Sequence, residues 1–157
     1  MEKIIRLFKK QDISACVKII MKTNAGCNKK EIKKLLNLSL KKGVSFINPD
    51  YYVLVVNKNI IGVSGLYYDY EDPKDIFWMD YFAVSPALQR QGFGTEMLKN
   101  LEKICKNKKA RMLNVFTETE QAVNFYTKNG FKIFGKIDNY YGPNRPRIWL
   151  SKVLGRT

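Results

Sequence analysis

Gln89-Arg90-Gln91-Gly92-Phe93-Gly94-Thr95 is the segment of this 157-residue chain best suited to hold a ligand. It separates a β-branched and aromatic run ending at Val84 from an apolar-periodic, helical segment beginning near Gly94. Glycines let a backbone approach a ligand closely, and a helix N-terminus offers unpaired N–H groups with a partial positive charge. Such a turn can hold a pyrophosphate with neither a metal nor a lysine. Two common phosphate loops are excluded by the residues: a dinucleotide fingerprint needs a third glycine where Met97 stands, and a Walker A loop needs Gly-Lys-Ser/Thr. A purely structural glycine turn stays open on these residues alone. The chain has no histidine. Ser-His-Asp and Cys-His nucleophile pairs, Cys₂His₂ zinc sites and imidazole acid–base chemistry are therefore excluded. Carboxylates, tyrosines, backbone amides or a cofactor must do the work.

The carboxylates are unevenly spread. Asp69, Glu71, Asp72, Asp75 and Asp80 fall within twelve residues of a chain that has 14 acids against 28 bases and a net charge of +14. That cluster suits the attraction of a cationic amine, or is a solvated hairpin tip. Tyr67, Tyr68, Tyr70, Tyr81, Tyr140 and Tyr141 could line an amine pocket, or be ordinary sheet residues. The bases are 22 lysines and six arginines, a balance of solvated surface more than of nucleic-acid reading, which favours arginine forks. An RNA- or ribosome-associated binding module is the rival class, and nucleic acid is disfavoured as a partner. Cys16, Cys27 and Cys105 show no metal spacing and read as free thiols of a cytoplasmic protein. No apolar stretch is long enough for a membrane span.

These residues need a scaffold, and the periodicity supplies one. Residues 2–8 read as a strand. Asp12 is placed to cap a helix to about Thr23 with Ile13, Cys16, Val17 and Ile20 on one face. Asn28 and Glu31 resemble a capping box opening a second helix that Gly43 closes. After the turn signal Asn48-Pro49-Asp50, residues 51–57, 60–68 and 76–84 form an antiparallel meander. A helix over about 94–106, a strand over 111–117, a helix over 120–129 and strands over 131–136 and 147–153 complete the chain. The strand–helix–strand unit from 76 to 117 requires a parallel crossover. The fold class is therefore α/β, one domain over 1–157. Its mixed central sheet is antiparallel in the first half, has a parallel central pair, and carries helices on both faces.

Phe82-Ala83-Val84-x-Pro86-x-x-Gln89-x-x-Gly92-x-Gly94 is similar to the acetyl-CoA-binding motif of the GNAT superfamily of N-acetyltransferases. Ala122-x-x-Phe125-Tyr126-x-x-x-Gly130-Phe131 resembles the second signature of that family, and the element order is also the GNAT order. The resemblance implies acetyl transfer from acetyl-CoA, as cosubstrate and without a metal, to an amine acceptor. It assigns Gln89, Arg90, Gln91, Gly92, Phe93, Gly94 and Thr95 to the pyrophosphate, and Phe82, Ala83 and Val84 to the pantetheine and the thioester carbonyl. Thr119 and Asn124 of the last helix join the cofactor-binding set. Tyr126 matches the tyrosine general acid that protonates the leaving thiolate; packing beside Phe125 is its plainer role.

An ammonium must lose a proton before it attacks, since a lysine-like amine has a pKa of about 10. In the ribosomal-protein alanine acetyltransferase branch a glutamate does this, and Asn114 stands at the matching position. Thr119 likewise replaces that family's asparagine. Both departures argue against that branch. Asp80 is then the carboxylate candidate for the base, sharing the face of Phe82 and Val84 unless a bulge intervenes. A role as a surface lysine's partner, or a water chain in its place, stays open. The acceptor expected is a small cationic amine, with protein N-termini or lysines as the alternative and a homodimer left open.

Overall fold

A computed structural model describes residues 2–24, 26–41 and 49–155. Along the chain run β1 (Lys3–Leu7), α1 (Ile13–Thr23), α2 (Lys29–Ser39), β2 (Asp50–Val56), β3 (Asn59–Tyr67) and β4 (Ile76–Val84). There follow α3 (Phe93–Asn107), β5 (Met112–Thr117), α4 (Glu120–Lys128), β6 (Lys132–Ile137) and β7 (Arg147–Val153). This is the expected order, with Gly43 and Asn48 lying outside the described residues. The seven strands form one sheet in the order β1-β2-β3-β4-β5-β7-β6. Among the described residues only β4 and β5 pair in parallel. The other neighbours are antiparallel.

The two sheet faces bury separate clusters, because side chains alternate along each strand. On one face Leu54, Met79, Val84, Leu113, Val115 and Leu150 meet Met97, Leu98 and Leu101 of α3 and Tyr126 of α4. On the other, Tyr51, Val53, Val63 and Ala83 meet Val17 and Ile20 of α1 and Ile32 and Leu36 of α2. Helices thus cover both faces, as the periodicity predicts.

Two local expectations change. Asp12 holds the N-cap position of α1 but makes no side-chain cap. Its carboxylate instead accepts from the Lys9 amide at 2.8 Å and from Arg6 at 2.7 and 3.0 Å, tying β1 to the helix start. Asn28 does cap α2, accepting from the amides of Lys30 and Glu31. Helix α3 begins at Phe93, because Gly92 takes the left-handed conformation (φ 85°) as its N-cap and Phe93 turns into the core.

Two irregularities shape the site. The β4–β5 ladder runs only from Ile76↔Met112 to Trp78↔Asn114. Beyond it β4 stays paired to β3 as far as Val84, and β5 to β7 as far as Thr117, so the sheet opens between them. Second, β4 is bulged. Val63 pairs with Ala83 and Gly65 with Asp80, so the single residue Ser64 faces both Tyr81 and Phe82. Tyr81 absorbs the extra residue with φ 44°.

Candidate active site

The glycine loop lies at the open end of β4. The first intrahelical bond of α3 is Glu96 N–H to the Gly92 carbonyl at 3.0 Å, so the amides of Phe93, Gly94 and Thr95 have no partner inside the helix. Gly92 has no side-chain cap in front of these amides, and a Cβ there would meet nothing within 4 Å. Gly92 and Thr95 line an open hollow of about 450 Å³ with Glu96, Lys99 and Asn100. Arg90 also holds positive φ (61°). Gln89 serves the loop itself: its side-chain amide donates to the Val84 carbonyl at 3.1 Å, fastening the loop to the end of β4. The Gln91 amide reaches the Ala87 carbonyl at 3.4 Å. Gly94 has a packing role, since a Cβ would come 3.3 Å from the Phe125 ring. It lets α4 close over the first turn of α3.

Tyr126 projects from α4 onto the same face. Its ring lies 6.1 Å from Phe82, 5.2 Å from Phe125 and 5.3 Å from Phe131. It is a core residue by packing, and Phe82 links it to the segment of β4 beyond the paired stretch. Burial alone raises the pKa of its hydroxyl, which stays protonated. Thr119 caps α4, its Oγ accepting from the Ala122 amide at 3.3 Å, and Asn124 is exposed.

The bulge decides the facing of Asp80. It breaks the alternation, so Asp80 and Tyr81 both lie on the α1/α2 face while Phe82 and Val84 lie on the α3/α4 face. The shared facing expected without a bulge does not occur. Asp80 accepts a hydrogen bond from the hydroxyl of buried Tyr51 and another from the Tyr81 backbone. Desolvation outweighs both and raises its pKa above the ordinary carboxylate range. Asp80 makes no ion pair among the described residues. The acidic loop is largely tied into local structure: Asp72 accepts from Trp78 Nε1 at 2.7 Å, Asp75 pairs with Arg111 at 2.8 Å, and Asp69 holds the Glu71 amide.

Residues 5–131 match the model of the acetyltransferase (GNAT) family. The chain belongs to the GNAT acetyltransferase family. None of the curated protein sequences is similar enough to match it. Among solved structures it is similar to a Desulfovibrio desulfuricans protein described as a GNAT-family acetyltransferase, with a TM-score of 0.87 and 15% identity over 98% of this chain and 100% of that one. The ribosomal-protein-S18-alanine N-acetyltransferase of Escherichia coli gives 0.80 and 18%, covering 99% and 96%. A spermidine N-acetyltransferase chimera of Vibrio cholerae and hSSAT gives 0.78 and 14%, covering 98% and 96%. At these identities the likeness shows the fold, and the family model shows the membership.

Acetyl-CoA is the acyl donor that GNAT membership implies, and this chain's residues fit it. Three unpaired amides follow a glycine with open space before it, and the β5-facing edge of β4 beyond Trp78 is free of strand pairing. Gly92→Val would force a β-branched residue into φ 85°, a strain of roughly 1–3 kcal/mol, and place its side chain in front of the amides. Calorimetry should show acetyl-CoA affinity weakened on the order of 10-fold or more; unchanged affinity would remove the loop from the site.

Three further residues of this GNAT chain line the opening on the Asp80 side; Tyr51 and Arg147 were not singled out by sequence reasoning, and Asn114 only as the replacement of a glutamate. Tyr51 holds Asp80, Asn114 is buried with an unpartnered Oδ1, and Arg147 lies against Phe116 on the same face. Strand alternation could have put Asn114 and Phe116 together on one face. Only the three-dimensional pairing of β5 with β7 brings Arg147 to them.

Proposed function

We propose that this GNAT protein, one cytoplasmic domain, transfers the acetyl group of acetyl-CoA directly to the primary amine of a small molecule that enters as its ammonium ion. The observation that carries this reading is the disposition of two proton-handling groups about the opening. Tyr126 lies toward the α3/α4 face, and Asp80 lies on the opposite one. Acetyl-CoA supplies a thioester carbonyl and a thiolate leaving group. The amides of Gly92 to Thr95 hold its pyrophosphate, and a backbone N–H of Ala83 or Val84 polarises the carbonyl, a contribution worth about 3 kcal/mol in comparable sites. Asp80, with its pKa raised, accepts the ammonium proton more readily than a surface carboxylate does. The Tyr126 hydroxyl donates a proton to sulfur.

With Asp72 and Asp75 engaged locally, the attraction of a cation rests on Asp80 more than on the loop. The names of the relatives span a ribosomal-protein alanine and spermidine, and at their low identity neither assigns the acceptor. The test is coenzyme A thiol release with acetyl-CoA and a panel of polyamines, amino acids, neutral amines and peptides. Turnover of small ammonium compounds is expected. Turnover of peptides alone would move the acceptor to proteins. No turnover, with RNA binding that falls steeply with salt, would replace the enzyme by a binding module.

A further inference from the structure

The acceptor side of the opening holds a cation as well as a carboxylate. Trp78 pairs with Tyr67 on one side and Asn114 on the other, which fixes the last closed row of the sheet. Asp80 and Phe116 stand two residues on along their own strands, at matching positions on the two lips of the opening. Phe116 pairs in turn with Trp149. The Arg147 guanidinium carbon sits 3.8 Å from the Phe116 ring centre, 5.0 Å from that of Tyr140 and 5.1 Å from that of Trp149. The cation therefore lies over the residue that occupies the position of Asp80 on the opposite lip. The Tyr67 hydroxyl feels both charges, Asp80 and Arg147 acting on it with opposite sign.

The pairing around Arg147 is incomplete. Its neighbour Arg145 takes Glu118 through two hydrogen bonds, at 2.9 and 3.1 Å. Arg147 makes no ion pair among the described residues. One of its terminal nitrogens donates to the Tyr140 hydroxyl at 3.1 Å, while its Nε is buried without a partner. Asn114 Oδ1, on the same face at the last closed row, is the other buried orphan among the described residues. Buried polar atoms are seldom left unpaired, and unpaired ones in a site ask for a ligand. Here a guanidinium engaged only by the Tyr140 hydroxyl and an unpaired acceptor stand around an opening that also holds a carboxylate.

We propose that Arg147 is a specificity-determining residue that binds a carboxylate of the acceptor, so that the substrate class is amino-carboxylates. Asp80 and Asn114 Oδ1 receive the ammonium end, and the planar fork of Arg147 receives the carboxylate in the geometry that guanidinium favours. The aromatic bed of Phe116, Tyr140 and Trp149 packs against the fork, and the β6–β7 connection carrying Arg145 comes against Gly26 of the α1–α2 connection. A polyamine would set a second ammonium against Arg147 and be repelled. This inference rests on the acetyl-transfer reading and narrows its acceptor from ammonium compounds in general to zwitterions.

The experiment compares amino acids with their methyl esters and decarboxylated analogues, by equilibrium binding in the presence of coenzyme A and by thiol release with acetyl-CoA. At least one amino acid should bind and turn over on the order of 10- to 100-fold better than its ester. Arg147→Gln should collapse that ratio toward one. Arg147→Lys, which keeps the charge and the stem but not the fork, should retain part of it, and thermal melting verifies that both variants fold. Esters or decarboxylated amines handled as well as their parents, or equal losses for parent and ester in Arg147→Gln, would overturn the assignment, as would no amino acid binding at all. Carboxylate-dependent binding without any acetyl transfer would uphold the anion site and sink the acetyl-transfer reading instead.

Discussion

Tyr126→Phe should lower kcat at saturating acetyl-CoA by roughly 10²–10⁴-fold, the usual worth of a positioned general acid, while leaving acetyl-CoA affinity nearly unchanged. The ring is fixed by Phe82, Phe125 and Phe131, and phenylalanine preserves each of those contacts. Stability should therefore not fall. The hydroxyl is not among the buried side-chain atoms left without a partner, and among the described residues no hydrogen bond to it holds the fold together, so its removal should change stability little. A residue serving only as packing would show no loss of kcat, and unchanged turnover would withdraw the acid role. The raised pKa adds a second check. Because burial keeps the hydroxyl protonated, the wild-type rate should show no decline near pH 10 from loss of the tyrosine proton, where an exposed tyrosine would titrate.

What the sequence made legible follows from local periodicity. Alternation located the strands, helical spacing located the four helices, and the parallel crossover from β4 to β5 followed from element order alone. The glycine loop was legible because φ > 0 and unpaired helix amides leave a compositional trace. The bulge at Tyr81 left none, since tyrosine is an ordinary strand residue and one extra residue only shifts the phase of alternation. That phase error reversed the facing of Asp80. The Asp12 cap failed for a similar reason: the carboxylate had a competing partner, Arg6, six residues back across a turn. The packing role of Gly94 left no local trace, because its partner Phe125 is 31 positions away. Arg147 escaped notice because its surroundings come from β5, β7 and the β6–β7 connection, which no window along the chain brings together. The lysine excess gave little away, and Lys3, Lys108 and Lys152 form ion pairs with Glu96, Asp50 and Glu102.

Asp80→Asn should cut kcat/KM by about 10²–10³-fold, within the range of general-base contributions, and should abolish the acidic limb of the pH profile. The sign follows from the environment. Desolvation raises the Asp80 pKa despite the Tyr51 and Tyr81 hydrogen bonds, so wild-type activity should fall with decreasing pH already above the carboxylate range near 4. Tyr51→Phe removes a bond that favours the ionised form, which moves that limb to still higher pH. Stability should move the other way. A carboxyl whose pKa is higher folded than unfolded favours folding at low pH, and that contribution is lost as pH rises through the folded pKa. Above its folded pKa the ionised Asp80 is thus a burden on the fold, and Asp80→Asn, which still offers Tyr51 an acceptor oxygen, should there melt at the same temperature or higher. Lost activity with retained or gained stability is what a base held in an unfavourable environment produces. An acidic limb that persists in Asp80→Asn would transfer the base role to another group, and a lowered melting point would make Asp80 a structural residue.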